Sequence, residues 1–282
     1  MSRPALPRVR PAGHRGVTIA GLLLVVALGL TALLASHVVP GSPTDIAKDR
    51  ALRPPTWTQP FGMDDLGRSI LSRVVHAYRV SLAVAVASVA LALLVGVPLG
   101  LVAGYAEGAL DQLIMRPLDV LMSFPAILLA IALTSVFGTG VLLVALSLAV
   151  VYTPIVARVV RAAILAVKVE VYVDGARALG APVPRLVLRH ILPNAATPVL
   201  VQASVLMAIA ILVEAALSFL GVGVRPPTPS LGLMLADGRG FMLQAPWMVI
   251  FPGLAIMAAV LGFNMVADGL RDWLDPQQAA GR

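Results

Sequence analysis

The 282-residue sequence contains no cysteine and has few charged residues. The absence of cysteine excludes disulfide bonds and thiolate metal sites. Charged residues make up 12% of the chain, about half the share in a soluble domain. Hydrophobic residues make up 59%, and the mean hydropathy is +0.93. A chain this apolar would aggregate in water, so we expect it to fold within a lipid bilayer.

Sequence signals of catalysis and of ion binding are also scarce. The pattern G-x-x-x-x-G-K-[S/T] does not occur, so the chain cannot hydrolyse ATP by means of a phosphate-binding loop. Its four histidines are scattered, with no pair spaced i, i+4. We therefore expect no catalytic residue, cofactor site or metal site. The net charge of +7 fits membrane orientation and anionic lipid headgroups better than nucleic-acid binding.

Six apolar runs approach or exceed the roughly 20 residues needed to cross a bilayer. The fold class predicted from them is all-α, a polytopic membrane helix bundle with six transmembrane helices. The first run has about 23 residues, too long for the core of a signal peptide, and is interpreted as a retained helix. The runs are Val17–Val39, Val80–Gly104, Val120–Phe137, Val141–Val160, Val199–Gly221 and Trp247–Ala267.

An even number of spans places both termini on one side of the membrane. With the N-terminus inside, 13 of the 21 lysines and arginines lie in inner segments and 8 in outer segments. This bias favours cytoplasmic termini. The predicted segments are the tails 1–16 and 269–282, the first helix 17–39, the external linker 40–79 and a five-helix core 80–268. The core includes a cytoplasmic loop, 168–198, and an external loop, 222–246.

The external linker ends in a segment with acidic residues first and arginines later. Asp64 and Asp65 precede Arg68 and Arg73, the order that suits a helix dipole. We expect a short amphipathic helix here that leads into the second span.

The cytoplasmic segment Glu170–Pro198 reads EVYVDGARALGAPVPRLVLRHILPNAATP and lies between long apolar runs. Gly180 can adopt the left-handed conformation that ends a helix, and Pro182 and Pro184 suit the start of the next. The pattern therefore predicts two short helices joined by a narrow elbow. Such an elbow could enter a cleft on a soluble partner, or it could be a solvated surface hairpin.

This segment resembles the EAA loop in permease subunits of bacterial ATP-binding cassette (ABC) importers. Asp174-Gly175-Ala176 replaces E-A-A, and the spacing to Gly180 is kept. Leu192-Pro193 occupies the L-P positions, with His190 at the position usually held by isoleucine. Four further stretches resemble the second permease of the dipeptide/oligopeptide/nickel importer family: Phe61–Arg73, Ala216–Arg239, Ala245–Ile256 and Phe263–Pro276.

The resemblance implies a type I ABC importer permease fold in the bacterial inner membrane. It implies a translocation path for di- or oligopeptides, formed with a homologous second permease, and alternating access driven by two cytoplasmic ATPases that bind ATP and Mg. An extracytoplasmic binding protein would deliver the substrate. Nickel chelates, glutathione or another small solute are alternatives. The ATPase-coupling residues implied are Asp174, Gly175, Ala176, Gly180, Arg185, His190, Leu192 and Pro193.

Glu214 is a carboxylate within an otherwise apolar predicted span. Such groups are costly in a membrane and face a cavity or a partner. Gln202 lies about three turns earlier on the same predicted helix. The pair could belong to a pathway or gate, or Glu214 could have a structural hydrogen-bonding role. An intramembrane enzyme would need paired catalytic groups, and the sequence shows no evident partner for Glu214.

Overall fold

The computed structural model describes residues 14–39 and 42–274, and these residues are almost entirely helical. Their single β-bridge joins Met63 and Ser69. The helices are α1 His14–Leu33, α2 Ala35–Val38, α3 Ile70–Ala106, α4 Gly108–Met122, α5 Ala126–Phe137, α6 Val141–Val167, α7 Val171–Ala178, α8 Val183–Leu186, α9 Leu192–Phe219, α10 Leu231–Gly238 and α11 Trp247–Leu274. Short 3₁₀ turns at Lys48–Arg50 and Arg239–Phe241 and a π turn at Val187–Ile191 complete the described elements.

Within residues 14–39 and 42–274, five continuous helical segments are long and apolar enough to cross a membrane, and a bent pair provides a sixth candidate. This confirms the all-α membrane bundle. The third predicted span, however, is not one straight helix. Helices α4 and α5 meet at 92° across Ser123–Pro125. Pro125 lacks a backbone N–H and disfavours helical geometry at Phe124, so the helix ends before it and a new one begins after it.

The core is organised around α3 and α6, which pack along much of their length. Three glycines of α3, spaced four residues apart, face α6: Gly96, Gly100 and Gly104. A Cβ atom at Gly100 would lie 2.4 Å from the carbonyl oxygen of Ala157, so the two backbones approach closely only because no side chain is present there. Helix α9 packs on α3, α6 and α11, and α1 packs on α11.

The external linker differs from its prediction. Residues 61–69 form turns, and no amphipathic helix precedes the second span. Helix α3 begins only at Ile70, with Ser69 as its N-cap, and continues unbroken into the membrane-spanning part. Asp64 accepts hydrogen bonds from the backbone amides of Leu66 and Arg68, which fixes a turn where a helix was expected.

The linker is attached to the rest of the chain through α11. The indole nitrogen of Trp247 donates a hydrogen bond to the carbonyl of Met63 at 3.1 Å. Phe61 stacks on Phe251 with ring centroids 4.1 Å apart. The linker is thus an ordered cap over one end of the bundle. Most of the two predicted tails lies outside the described residues.

Candidate functional sites

The elbow, residues 168–198, turns at Gly180. Helix α7 ends at Ala178, and Gly180 follows with φ of +79°. The amide of Gly180 donates to the carbonyl of Arg177, and that of Ala181 donates to the carbonyl of Ala176. This double hydrogen bond is the Schellman motif, which satisfies the last carbonyls of a helix and needs a left-handed residue at the position of Gly180.

After this turn the chain enters a second helical segment without another break. Pro182 precedes α8, and Pro184 lies in its first turn. A π turn at Val187–Ile191 then joins α8 to α9. The second arm of the elbow is therefore continuous with the candidate membrane-spanning helix α9, so movement of the elbow would be transmitted directly to α9.

Buried apolar side chains fix the elbow to the bundle. Val173, Leu186 and Ile191 are almost fully buried. Other apolar side chains on the same segment are exposed: Val171, Tyr172, Leu179, Val183 and Leu188. Leu179 is the most exposed of these at 91%, and it lies beside the turn glycine. A rigid elbow with an apolar tip is a surface suited to burial against another protein.

The residues predicted for ATPase coupling are spread over both arms. Asp174 is exposed and pairs with Arg177 one turn later at 2.9 Å. Gly175, Arg185 and Pro193 are exposed, whereas Ala176, His190 and Leu192 are half-buried. His190 lies in the π turn, and its backbone carbonyl accepts a hydrogen bond from the side-chain Nδ2 of Asn194.

Sequence reasoning missed the exposed apolar residues, above all Leu179. The available signal was an apolar residue next to the helix-ending glycine, in a segment that also contains several charged residues.

Glu214 lies in α9 and is fully buried. Three serine hydroxyls donate hydrogen bonds to its carboxylate: Ser81 of α3 at 2.7 Å, Ser218 of α9 at 2.8 Å and Ser230, just before α10, at 2.9 Å. Of the two roles predicted for Glu214, these bonds fit the structural hydrogen-bonding role. Its carboxylate connects three elements of the chain and, in this conformation, does not face an open path.

Gln202 does not share a site with Glu214. The two residues are 12 positions apart on one helix, which corresponds to about 18 Å along the axis and about 120° around it. Gln202 is half-buried. The structure therefore does not bring the two predicted pathway residues together.

A second polar cluster lies where the predicted external linker meets α3 and α10, and we call it the external ionic cluster after that prediction. Asp64 is buried and accepts from Arg68 Nε at 2.7 Å and from Arg73 at 2.6 Å. Arg73 also reaches Asp237 of α10 at 3.3 Å. Burial and the nearby Asp64 carboxylate raise the pKa of Asp65 above its usual value, although Arg68 opposes the shift. Sequence reasoning gave Asp64 only a helix-dipole role and did not single out Asp237.

The described residues include no group of three histidine, cysteine, aspartate or glutamate side chains that could hold a metal ion. The polar groups found here instead hold elements of the chain together. The elbow is the surface most suited to a partner.

Comparison with known proteins identifies the relatives of this chain. Residues 96–279 match the family described as the binding-protein-dependent transport system inner membrane component. The chain is 41% identical to a dipeptide transport system permease protein of Alkalihalophilus pseudofirmus, over 93% of this chain and 86% of that protein. It is 40% identical to a di/tripeptide transport system permease protein of Pseudomonas aeruginosa, over 94% and 89%. It is also 41% identical to a glutathione transport system permease protein of Pectobacterium atrosepticum, over 93% and 87%.

Proposed function

Because the chain belongs to the family of binding-protein-dependent transport system inner membrane components, we propose that it is a peptide permease subunit of an ATP-driven importer. The observation that supports this most strongly is the near full-length similarity to permeases named for dipeptide and di/tripeptide transport. The chain is a multi-pass membrane protein, and its transport substrate is a short peptide. Glutathione, itself a tripeptide, is the second candidate, and the relative named for its transport favours it.

The role proposed for this chain is to form one half of a translocation path. A second, homologous permease supplies the other half, and an extracytoplasmic binding protein delivers the substrate to the outer face. ATP and Mg bind to two separate ATPase subunits on the cytoplasmic side, so this chain is not itself an enzyme. Both termini and the elbow face the cytoplasm in this arrangement, in agreement with the distribution of lysine and arginine.

The elbow is proposed as the contact with one ATPase subunit. Its tip presents Leu179 beside Gly180, while Val173 and Ile191 are buried in the hydrophobic core of the bundle. Movement of the ATPase would therefore displace the whole elbow as a rigid body instead of merely bending a loose loop. Since α8 continues into α9 and α7 follows α6, both helices would move with it, which is the kind of rigid-body switch that alternating access requires.

Uptake by the assembled transporter tests both the function and the elbow. Proteoliposomes containing the chain, its second permease and two ATPase subunits, supplied with binding protein and internal ATP, should accumulate a labelled dipeptide. Unlabelled glutathione is the competitor that tests the second substrate. The substitutions Gly180→Val and Asp174→Arg should abolish uptake without preventing membrane insertion or assembly with the second permease.

Gly240→Val is the matched control for Gly180→Val. Gly240 has no positive φ, and a Cβ atom there would meet nothing within 4 Å. This control should transport at the wild-type rate. Wild-type vesicles that accumulate no peptide would contradict the proposed function, whereas normal uptake by both elbow variants would contradict the coupling role alone.

A further inference from the structure

Helix α4 and the residue that precedes it are joined to the cytoplasmic half of α6 by ion pairs. Asp111 receives two hydrogen bonds from the guanidinium of Arg161, both of 2.6 Å. The other two pairs are Asp119 with Arg158, at 2.5 Å, and Glu107 with Lys168. The three cations lie within about 80° of one another around α6, since helical residues advance by roughly 100° each. We call these three pairs the α4–α6 clamp.

The clamp also includes the junction between α3 and α4. The ammonium of Lys168 donates a second hydrogen bond to the carbonyl of Gly104, near the end of α3. The chain reverses immediately afterwards at Glu107 and Gly108, both of which have positive φ. Lys168 therefore holds the end of α3 and the start of α4 at the same point.

The three pairs differ in strength. The side chains of Arg158 and Asp119 are each about half exposed, and such pairs contribute only about 0–1 kcal/mol. Arg161 and Asp111 are 34% and 14% exposed and meet in the bidentate geometry that makes arginine–carboxylate pairs strong and directional. The central pair is therefore the one that determines how α4 lies on α6.

The clamp lies between two features that are suited to movement. Lys168 is three residues before α7, the first arm of the elbow. At its other end α4 reaches the 92° bend at Ser123–Pro125, and all three residues of that bend are exposed. A displacement of the elbow would therefore reach α4 through the cations of α6, and α4 would carry it to the bend.

We propose that Asp111 and Arg161 are positioning residues that make α4 move together with α6, so that elbow displacement changes the bend between α4 and α5. This inference rests on the proposed transport function. In this proposal α4 transmits motion from α6 to the bend. Neither the sequence of α4 nor the family of the chain specifies that role. Neither residue need touch ATP or peptide, because they act by fixing one helix to another.

The number of peptides moved per ATP hydrolysed measures this coupling directly. In proteoliposomes, Asp111→Asn and Arg161→Gln should each lower that ratio about tenfold, the change that roughly 1.4 kcal/mol produces, while ATP hydrolysis continues. The double variant Asp111→Arg/Arg161→Asp restores the pair with reversed polarity and should recover most of the ratio. Arg161→Lys keeps the charge but loses the bidentate contact and should be intermediate.

Arg116→Gln is the control within the same helix. Arg116 is an exposed cation of α4 whose one described hydrogen bond is to Gln112, also in α4. Its removal should leave the ratio unchanged. An unchanged ratio in Asp111→Asn and Arg161→Gln would overturn the proposal. So would a parallel loss of hydrolysis and uptake, since that would indicate a structural role only.

A distance measurement separates this inference from the proposed function. The chain has no cysteine, so Leu113→Cys in α4 and Ala166→Cys in α6 create two unique sites for spin labels, both at exposed positions. The mean distance between the two labels should be the same in nucleotide-free and ATP-bound complexes. The distribution of that distance should broaden when Asp111→Asn is added. A separation that changes with nucleotide in the intact chain would overturn the clamp, whatever substrate is carried.

Discussion

The hydroxyl of Ser230 donates a hydrogen bond of 2.9 Å to the buried carboxylate of Glu214. Ser230 is the residue before α10, in the loop 222–246 that the sequence predicts to be external, whereas Glu214 belongs to the candidate membrane-spanning helix α9. Because Ser81 of α3 donates to the same carboxylate, one side chain holds the loop against two spanning helices. Glu214 therefore acts as an anchor for the external loop in this conformation.

This anchoring predicts that Ser230→Ala loosens the external loop. A hydrogen bond to a charged group contributes about 1.5–3 kcal/mol, so the variant should unfold at a lower temperature. The loop 222–246 should also become more sensitive to added protease. Ser204→Ala is the control, because the hydroxyl of Ser204 bonds only to a carbonyl of its own helix, Leu200. Equal effects from the two substitutions would contradict the anchor.

The external ionic cluster gives opposite predictions for two adjacent carboxylates. Asp64 is buried and paired with Arg68 and Arg73. Asp64→Asn should destabilise the protein by about 3 kcal/mol, because it leaves the buried Arg73 with only its longer contact to Asp237. Asp65→Asn should be neutral or stabilising, because it removes a charge that burial and Asp64 disfavour. Thermal unfolding of the purified permease in detergent measures both, and similar losses from both would be inconsistent with this account.

The raised pKa of Asp65 also predicts a pH dependence. The folded state holds the proton of Asp65 more tightly than the unfolded state, so its ionisation opposes folding above the folded-state pKa. This penalty begins to shrink as pH falls through that pKa, and it is gone below the lower pKa of the unfolded state. The stability advantage of Asp65→Asn over the wild type should therefore be largest near neutral pH and shrink as the solution is acidified. An advantage that grows on acidification would contradict the assigned shift.

Close packing of α3 on α6 predicts that Gly100 tolerates no side chain. A Cβ atom there would lie 2.4 Å from the backbone oxygen of Ala157, so Gly100→Ala must push the helices apart. Overpacking of this kind costs about 1–3 kcal/mol, and the variant should unfold at a lower temperature. Gly253→Ala in α11 is the control, because nothing lies within 4 Å of its added methyl group. A Gly100→Ala variant as stable as this control would show that α3 and α6 have room for a methyl group between them, which would contradict the close contact.

The sequence predicted the features that depend on local pattern. Apolar run length predicted the five spans that are continuous helices, and Gly180 between two helical stretches predicted the elbow turn. Each of these follows from a few neighbouring residues, so one sequence is enough to predict it.

Features that depend on residues far apart could not be predicted in the same way. Ser81, which donates a hydrogen bond to Glu214, is 133 residues away from it in the sequence. Arg73 is 164 residues away from its partner Asp237. The bend at Ser123–Pro125 was missed for another reason. Proline is tolerated within membrane helices, so an apolar run that contains one can be either a kinked span or two helices.

The central claim is that the elbow lies in the cytoplasm and touches an ATPase subunit. Leu179→Cys creates a unique thiol at its tip in a chain without cysteine. In intact, right-side-out vesicles of the assembled transporter, this thiol should resist a membrane-impermeant maleimide until the membrane is opened. A short photoactivatable cross-linker attached to it should then join the chain to an ATPase subunit. Labelling from the outside of sealed vesicles, or no cross-link to the ATPase in the assembled complex, would contradict the account.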